Sequence, residues 1–114
     1  MTALLKSARL PVLIAALLAA AGPAAASSAE SGMASSISTS AAGLVWFLHS
    51  GARVGTPPAC DAPNSVWIFD ASTVAGQAML ANLLSATASG KPVSIVGTGT
   101  CISGHESVAY ITTN

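Results

Sequence analysis

The chain has 114 residues, of which 52% are hydrophobic and only 7% are charged. Its four basic and four acidic residues give a formal charge of zero. Phosphate binding needs a cluster of Lys and Arg, so this composition argues against nucleic acid as a partner. The length suits a single folded domain.

The N-terminal segment has the order of features found in secretory signal peptides. Lys6 and Arg9 supply positive charge, residues 10–21 form an uncharged apolar run, and small alanines occupy 24–26. A membrane anchor is the rival interpretation, but crossing a bilayer takes about 20 apolar residues. We therefore predict that residues 1–26 are a signal peptide and that the protein is secreted or periplasmic. No stable membrane insertion is expected once the peptide is removed.

Cleavage after Ala26 leaves 88 residues with two basic and four acidic side chains, a charge of about −2. Such a chain has no basic patch for DNA, heparin or anionic lipid. Residues 27–42 are rich in Ser, Ala and Gly and predict a flexible leader, with at most one weak edge strand around 33–38. Residues 43–114 are predicted to form one α+β domain.

The rest of the chain predicts about five strands and one helix. Aromatic and β-branched runs bounded by turn residues indicate the strands. They lie at 44–49, 52–54, 65–69, 93–96 and 107–112. Residues 97–101 look flexible, and Ser103-Gly104 predicts a turn.

A helix is predicted from Val74 to Ala88. Thr73 or Ser72 can cap its start, and Gly90 suits the left-handed position after its end. An apolar stripe is expected to face the sheet and a polar face to meet water. The stripe consists of Met79, Leu80, Leu83 and Leu84, and the polar face of Gln77, Asn82, Ser85 and Thr87. The polar face lacks the Lys and Arg of a membrane-surface helix.

Cys60 and Cys101 are the only cysteines, and both follow the predicted signal peptide. An even pair in a small exported domain predicts a disulfide. The loop it closes spans 41 residues, for which loop-closure entropy corresponds to roughly 4 kcal/mol of stability. A redox or metal pair is the alternative, but the C-x-x-C spacing is missing.

The segment from Pro57 to Ile111 has a recognisable motif order. It runs PPAC, WIFD, AGQAMLANLLSATASGK, PVSIVGTGTC and ESVAYI. It resembles a group of small exported bacterial proteins and, more distantly, the receptor-binding B subunits of pentameric toxins of the subtilase-cytotoxin type. That resemblance implies a small OB-like antiparallel barrel or sheet with one helix and one disulfide. It also implies glycan or protein binding, with a homo-oligomer as a further option.

Three motifs that could carry other chemistry are weak. Gly97-Thr98-Gly99 is not completed to a dinucleotide fingerprint, because position 102 is Ile. His49 and His105 could join Asp61, Asp70 or Glu106 at a zinc ion, but no paired ligand spacing supports a metal site. Neither Ser89-Gly90 nor Ser103-Gly104 has the neighbours of a nucleophile elbow. No catalytic residue and no cofactor is predicted.

The aromatic residues are the remaining candidates for a binding site. Trp46, Trp67 and Tyr110 are weak ligand-binding candidates, since an aromatic ring exposed on an OB-like surface can stack on a sugar or a base. Core filling or subunit packing is the alternative for each. We therefore predict an exported, non-catalytic binding or assembly module for a glycan or protein. A small periplasmic enzyme or metal-handling protein is the alternative function.

The predicted leader peptide leads to a first test. The exported protein should begin near Ser27 and carry no lipid, because alanines 24–26 supply the small residues that a signal peptidase reads and no cysteine lies near the cut. Intact-mass and N-terminal sequencing of the exported material check this. A protein that still begins at Met1 after export would contradict it.

Overall fold

The computed structural model describes residues 26–62 and 64–114. Apart from Ala26, the predicted signal peptide lies outside these residues. The described part contains seven strands and one helix. In chain order they are β1 (Ser27–Gly32), β2 (Ala34–Thr39), β3 (Leu44–His49), β4 (Arg53–Gly55), β5 (Val66–Asp70), α1 (Val74–Ala88), β6 (Val93–Ile102) and β7 (His105–Thr113).

All seven strands belong to one mixed sheet with the order β2-β3-β5-β7-β6-β1-β4. Its pairs are antiparallel except for β5 and β7, which run parallel with Ile68 opposite Ser107. The α+β class with one helix is thus confirmed, and the parallel pair makes the sheet mixed. The helix supplies the connection from β5 to β6.

Strands β1 and β2 are separated only by Met33, yet they lie towards opposite ends of the sheet. One bent stretch of chain therefore borders both halves of the sheet, although no ladder of hydrogen bonds closes it into a barrel. If β1 and β2 are counted as one bent strand and the short β4 is set aside, five strands remain. This is the OB-like arrangement that the sequence predicted.

The core lies between the inner face of the sheet and the helix. Phe47 and Phe69 meet edge to face with ring centroids 6.2 Å apart. Leu83 brings the helix into the same cluster, and α1 packs against β7 and β2. The buried apolar residues of this cluster include Val45, Phe47, Trp67, Phe69, Leu83, Val93, Ile95, Val108 and Ile111.

The helix begins and ends where the sequence predicts. The Thr73 side chain accepts a hydrogen bond from the Gly76 N–H at 2.9 Å, which caps the first turn. Gly90 adopts a φ of 65° directly after the C-cap residue Ser89. Local capping chemistry is therefore sufficient to fix both ends of α1.

The buried face of the helix is rotated from the predicted one. Leu83 is fully buried and Leu80 half-buried, but Leu84 is 48% exposed. Asn82, predicted to face water, is half-buried. Its Nδ2 donates to the Ile111 carbonyl at 3.3 Å, and the Thr113 hydroxyl donates to its Oδ1 at 2.6 Å. Contact with β7 therefore places Asn82 beside the sheet and turns Leu84 outwards.

The predicted flexible leader, residues 27–42, is corrected by the structure. It forms β1 and β2, and Ala29 and Ala34 are buried in the core. The expected weak edge strand around 33–38 corresponds to β2, which does lie at an end of the sheet. The small side chains of this segment do not form a strand pattern in the sequence. The segment is ordered by pairing with β6 and β3.

Residues 97–101 are also extended rather than flexible. They continue β6 to Ile102, with register shifts on either side of Gly97. The predicted turn at Ser103-Gly104 follows, and both residues have positive φ angles. The bulges let the glycine-rich segment stay paired with β7 while it bends.

The Cys60–Cys101 disulfide is present, with Cα atoms 6.2 Å apart. It joins the segment after β4 to the far end of β6. Disulfides persist in oxidising, non-cytoplasmic environments. The described residues include no helix that is long and apolar enough to cross a membrane.

A pair of leucine substitutions tests the helix orientation. Leu83→Ala should lower the free energy of unfolding by about 2–5 kcal/mol, because it opens a cavity in the core. Leu84→Ala, one position along the helix, should cost no more than about 0.5 kcal/mol. Denaturant midpoints of the oxidised domain measure both. Equal losses would show that the helix face has been assigned incorrectly.

The disulfide gives a second stability test. Both cysteines should resist thiol reagents until they are reduced, and Cys101→Ser should lower the free energy of unfolding by roughly 4 kcal/mol through the lost loop constraint. Thiol labelling and chemical denaturation with and without reductant measure these effects. Free labelling of the unreduced native protein would contradict the bond.

Candidate functional site

Strand β3 separates the core from a surface cleft. Its Val45, Phe47 and His49 are buried, whereas Trp46 and Leu48 on the opposite face are exposed. Successive side chains of a strand point to opposite faces, so a single strand can serve both surfaces. The outward row of β3 therefore forms one wall of the candidate site.

The neighbouring strands extend this outer face. Trp46 lies opposite Ile68 of β5, and Ile68 lies opposite Ser107 of β7. Strands in a sheet are about 4.8 Å apart, which places Trp46 and Ser107 about 10 Å from each other across the face. A cleft of about 320 Å³ opens here. Its lining residues are Leu44, Trp46, Ile68, Ser103 and His105.

A row of hydroxyl groups lies beside this cleft on β6 and β7. Thr98 Oγ1 is 2.5 Å from Ser107 Oγ and 2.9 Å from Thr100 Oγ1. The Ser107 hydroxyl also donates to the Thr100 carbonyl at 3.2 Å. Ser107 is buried, whereas Thr98 and Thr100 are exposed. The two threonines therefore present polar groups to solvent next to an apolar surface.

The cleft is nearly free of formal charge. None of its lining residues is Lys, Arg, Asp or Glu. Asp70 lies opposite Leu44, near one end of the lined region, and is the closest carboxylate along the ladder. Hydrogen bonds from Ser72 hold the pKa of Asp70 below its ordinary value, so it stays ionised at neutral pH. An uncharged ligand suits this surface better than an anion.

The structure separates the three aromatic candidates. Trp46 is 39% exposed in the cleft, and Tyr110 is 56% exposed on β7 but does not line the cleft. Trp67 is buried, with the Arg53 guanidinium carbon 4.1 Å from its ring centroid. Trp67 is therefore a core residue rather than a surface contact, because its side of β5 faces the interior.

The two histidines lie in different places. His49 is buried and both ring nitrogens are used: Nε2 is 2.9 Å from the Val93 carbonyl, and Nδ1 accepts from the Gly51 N–H at 3.2 Å. His105 lines the cleft. Among the described residues, no three His, Cys, Asp or Glu side chains are grouped so as to hold a metal ion.

Sequence patterns found only part of this site. Trp46 was a candidate, but Leu44, Ile68, Ser103 and the hydroxyl row were not. The alternation of Leu44, Trp46 and Leu48 with buried residues was a usable signal, since three large apolar side chains share the outer face. The strands that complete the cleft are distant in sequence and left no local signal.

No protein-family model, curated protein or solved structure matches the chain. The resemblance to toxin B subunits therefore stays a prediction from the sequence.

Proposed function

We propose that this protein is an exported binding module whose outer-face cleft binds an uncharged carbohydrate. The observation that carries the proposal is the exposed Trp46 ring, which lies in a cleft beside a row of hydroxyl groups. A sugar ring has an apolar face that stacks on an aromatic side chain and hydroxyl groups that need hydrogen-bond partners. Trp46 in the cleft offers the first kind of contact, and its lining residues Ser103 and His105, with the hydroxyl row nearby, offer the second.

The position of the cleft in the fold supports the same role. OB folds bind oligosaccharides and oligonucleotides on their second and third strands and on the loops next to them. Here the corresponding strands are β3 and β5, and the Ser103-Gly104 turn joins the strands that correspond to the fourth and fifth. This support is an analogy at the level of the fold.

Charge favours a carbohydrate over a nucleic acid. Oligonucleotide grooves place Lys and Arg along the phosphate backbone, and the lining of this cleft contains neither. Asp70 near its end would repel an anion, a sialylated sugar included. A neutral oligosaccharide meets no such repulsion.

Export is the second part of the proposal. The predicted signal peptide and the Cys60–Cys101 disulfide support it together, because the bond is maintained in an oxidising compartment such as the periplasm or the exterior of the cell. The alternative of a small periplasmic enzyme or metal-handling protein has no comparable feature in its favour.

Substitution of exposed aromatic residues tests the carbohydrate site. An array of neutral and sialylated glycans identifies ligands, and calorimetry with the best neutral oligosaccharide gives the affinity. Trp46→Ala should weaken binding by at least about tenfold, since a stacking anchor is lost. Tyr110→Ala removes an aromatic ring that is at least as exposed but lies outside the cleft, and affinity should change less than about twofold.

Tryptophan fluorescence gives an independent readout. Trp46 and Trp67 are the only tryptophans, and Trp67 is buried. A bound sugar should therefore alter the emission of Trp46, and the change should disappear in Trp46→Phe. Failure to bind any glycan on the array, or equal loss of affinity in Trp46→Ala and Tyr110→Ala, would contradict the proposal.

A further inference from the structure

Glu106 is a fully buried carboxylate whose two oxygens both contact Ser27. The Ser27 backbone nitrogen donates to Oε2 at 3.0 Å, and the Ser27 hydroxyl donates to Oε1. The Gly99 N–H also donates to Oε2, at 3.1 Å. Gly97 leaves the space that the carboxylate occupies, since a Cβ there would overlap it. The first residue of β1 is thus held by a carboxylate of β7.

The charges around Glu106 do not balance within the described residues. The Arg53 guanidinium forms an ion pair with Asp61, and the same nitrogen is 4.0 Å from Glu106 Oε1. The two carboxylate side chains are no more than 1% exposed. Among the described residues, one guanidinium therefore faces two buried carboxyl groups. Because an uncompensated buried charge is strongly destabilising, a second cation beside these carboxyl groups would stabilise the fold.

The position of Ser27 in the sequence suggests a source for a second cation. The predicted signal-peptide cut lies between Ala26 and Ser27. Hydrolysis of this peptide bond consumes one water molecule, and Ala26 leaves as a carboxylate. The Ser27 nitrogen becomes an amine, which takes up a proton at neutral pH. The nitrogen that is an amide in the precursor is then an ammonium.

We propose that Arg53, Asp61 and Glu106 form a binding site for the N-terminal ammonium that signal-peptide removal creates at Ser27. The ammonium is the second cation that the two carboxylates require, and its nitrogen already lies at hydrogen-bond distance from Glu106. Processing replaces the amide donor at Ser27 by a charged one, so the hydrogen bond to Glu106 becomes an ion pair as well. The fold is therefore more stable after export than before it.

The surrounding structure holds the receiving groups in place. Asp61 Oδ1 accepts from the Glu106 N–H at 2.7 Å. Cys60 precedes Asp61, and its disulfide partner Cys101 is paired with Glu106 across β6 and β7. The disulfide thus fixes the segment that carries Asp61 against the strand that carries Glu106. This hydrogen bond and the disulfide together keep both carboxyl groups beside Ser27.

Two mature chains that differ by one native residue test the proposal. One begins at Ser27 and carries the ammonium there; the other begins at Ala26 and keeps an amide at Ser27. Both are oxidised and unfolded with denaturant at pH 7. The unfolding equilibrium constant of the Ala26 chain should be larger by at least about tenfold, because the ion pair between the Ser27 ammonium and Glu106 is missing.

The Glu106→Gln background shows whether this carboxylate is the partner. Gln keeps the size and an acceptor oxygen but has no charge, so the difference between the two chain starts should fall below about twofold. Equal stability of the two chains with Glu106 present would overturn the proposal. So would an undiminished difference in the Glu106→Gln background, or an exported protein that does not begin at Ser27.

The pH dependence of the two chains gives a readout that needs no substitution. Glu106 of β7 and Asp61 after β4 attract the ammonium, and the Arg53 guanidinium of β4 repels it. The carboxylates raise the pKa of the ammonium above its ordinary value of about 8. Its stabilisation is therefore complete below that value and is lost as pH rises through the folded-state pKa.

Accordingly, the stability advantage of the Ser27 chain over the Ala26 chain should shrink towards alkaline pH. The Ala26 chain is the matched control, because its own amine lies on an exposed residue. An advantage that stays constant from pH 7 to about pH 11 would overturn the proposal even if Glu106→Gln does not fold. The cleft plays no part in this experiment.

Discussion

The bent stretch formed by β1 and β2 is the constraint on which the rest of this fold depends. It pairs with β6 and β4 on one side and with β3 on the other, and only Met33 separates the two pairings. The sheet must curve so that one piece of chain can border both of its halves. That curvature brings the inner faces of β3, β5 and β6 around a common core. The cleft opens on the opposite face of β3 and β5. Anchoring of Ser27 by Glu106 fixes one end of the stretch.

Core and cleft are built on opposite faces of the same strands. Phe47 and Trp46 are neighbours in β3, but one packs under the helix and the other meets solvent. Because the side chains alternate, the proposed binding surface can change without a change in the core, and the reverse also holds. The buried charges lie at the junction of β1, β4 and β7; they do not line the cleft, although the Arg53 guanidinium stacks on the core residue Trp67. Stability in that cluster and recognition in the cleft are therefore separable properties of the molecule.

Sequence patterns predicted some elements to the residue and missed others entirely. Strand β3 and helix α1 have the predicted bounds, because each carries its signal within a short window: alternating large side chains in one, caps in the other. The segment 27–42 was expected to be flexible, since its small polar side chains resemble those of a linker. Its order comes from ladders to β3 and β6, partners that are distant in the chain. Ile68 and Ser103 of the cleft were missed for the same reason.

The sequence alone determined the disulfide pairing, since only two cysteines exist, and the ends of the helix, since caps are local. It also named Trp46, together with Trp67 and Tyr110, as a candidate for ligand binding. The burial of Trp67 depends on the tertiary structure. Strand β5 lies between β3 and β7, so both edges and the inner face of β5 are covered. The contact between Glu106 and Ser27, which are 79 residues apart along the chain, also depends on the tertiary structure. No local pattern encodes such a contact, because it depends on where a curved sheet brings its strands together.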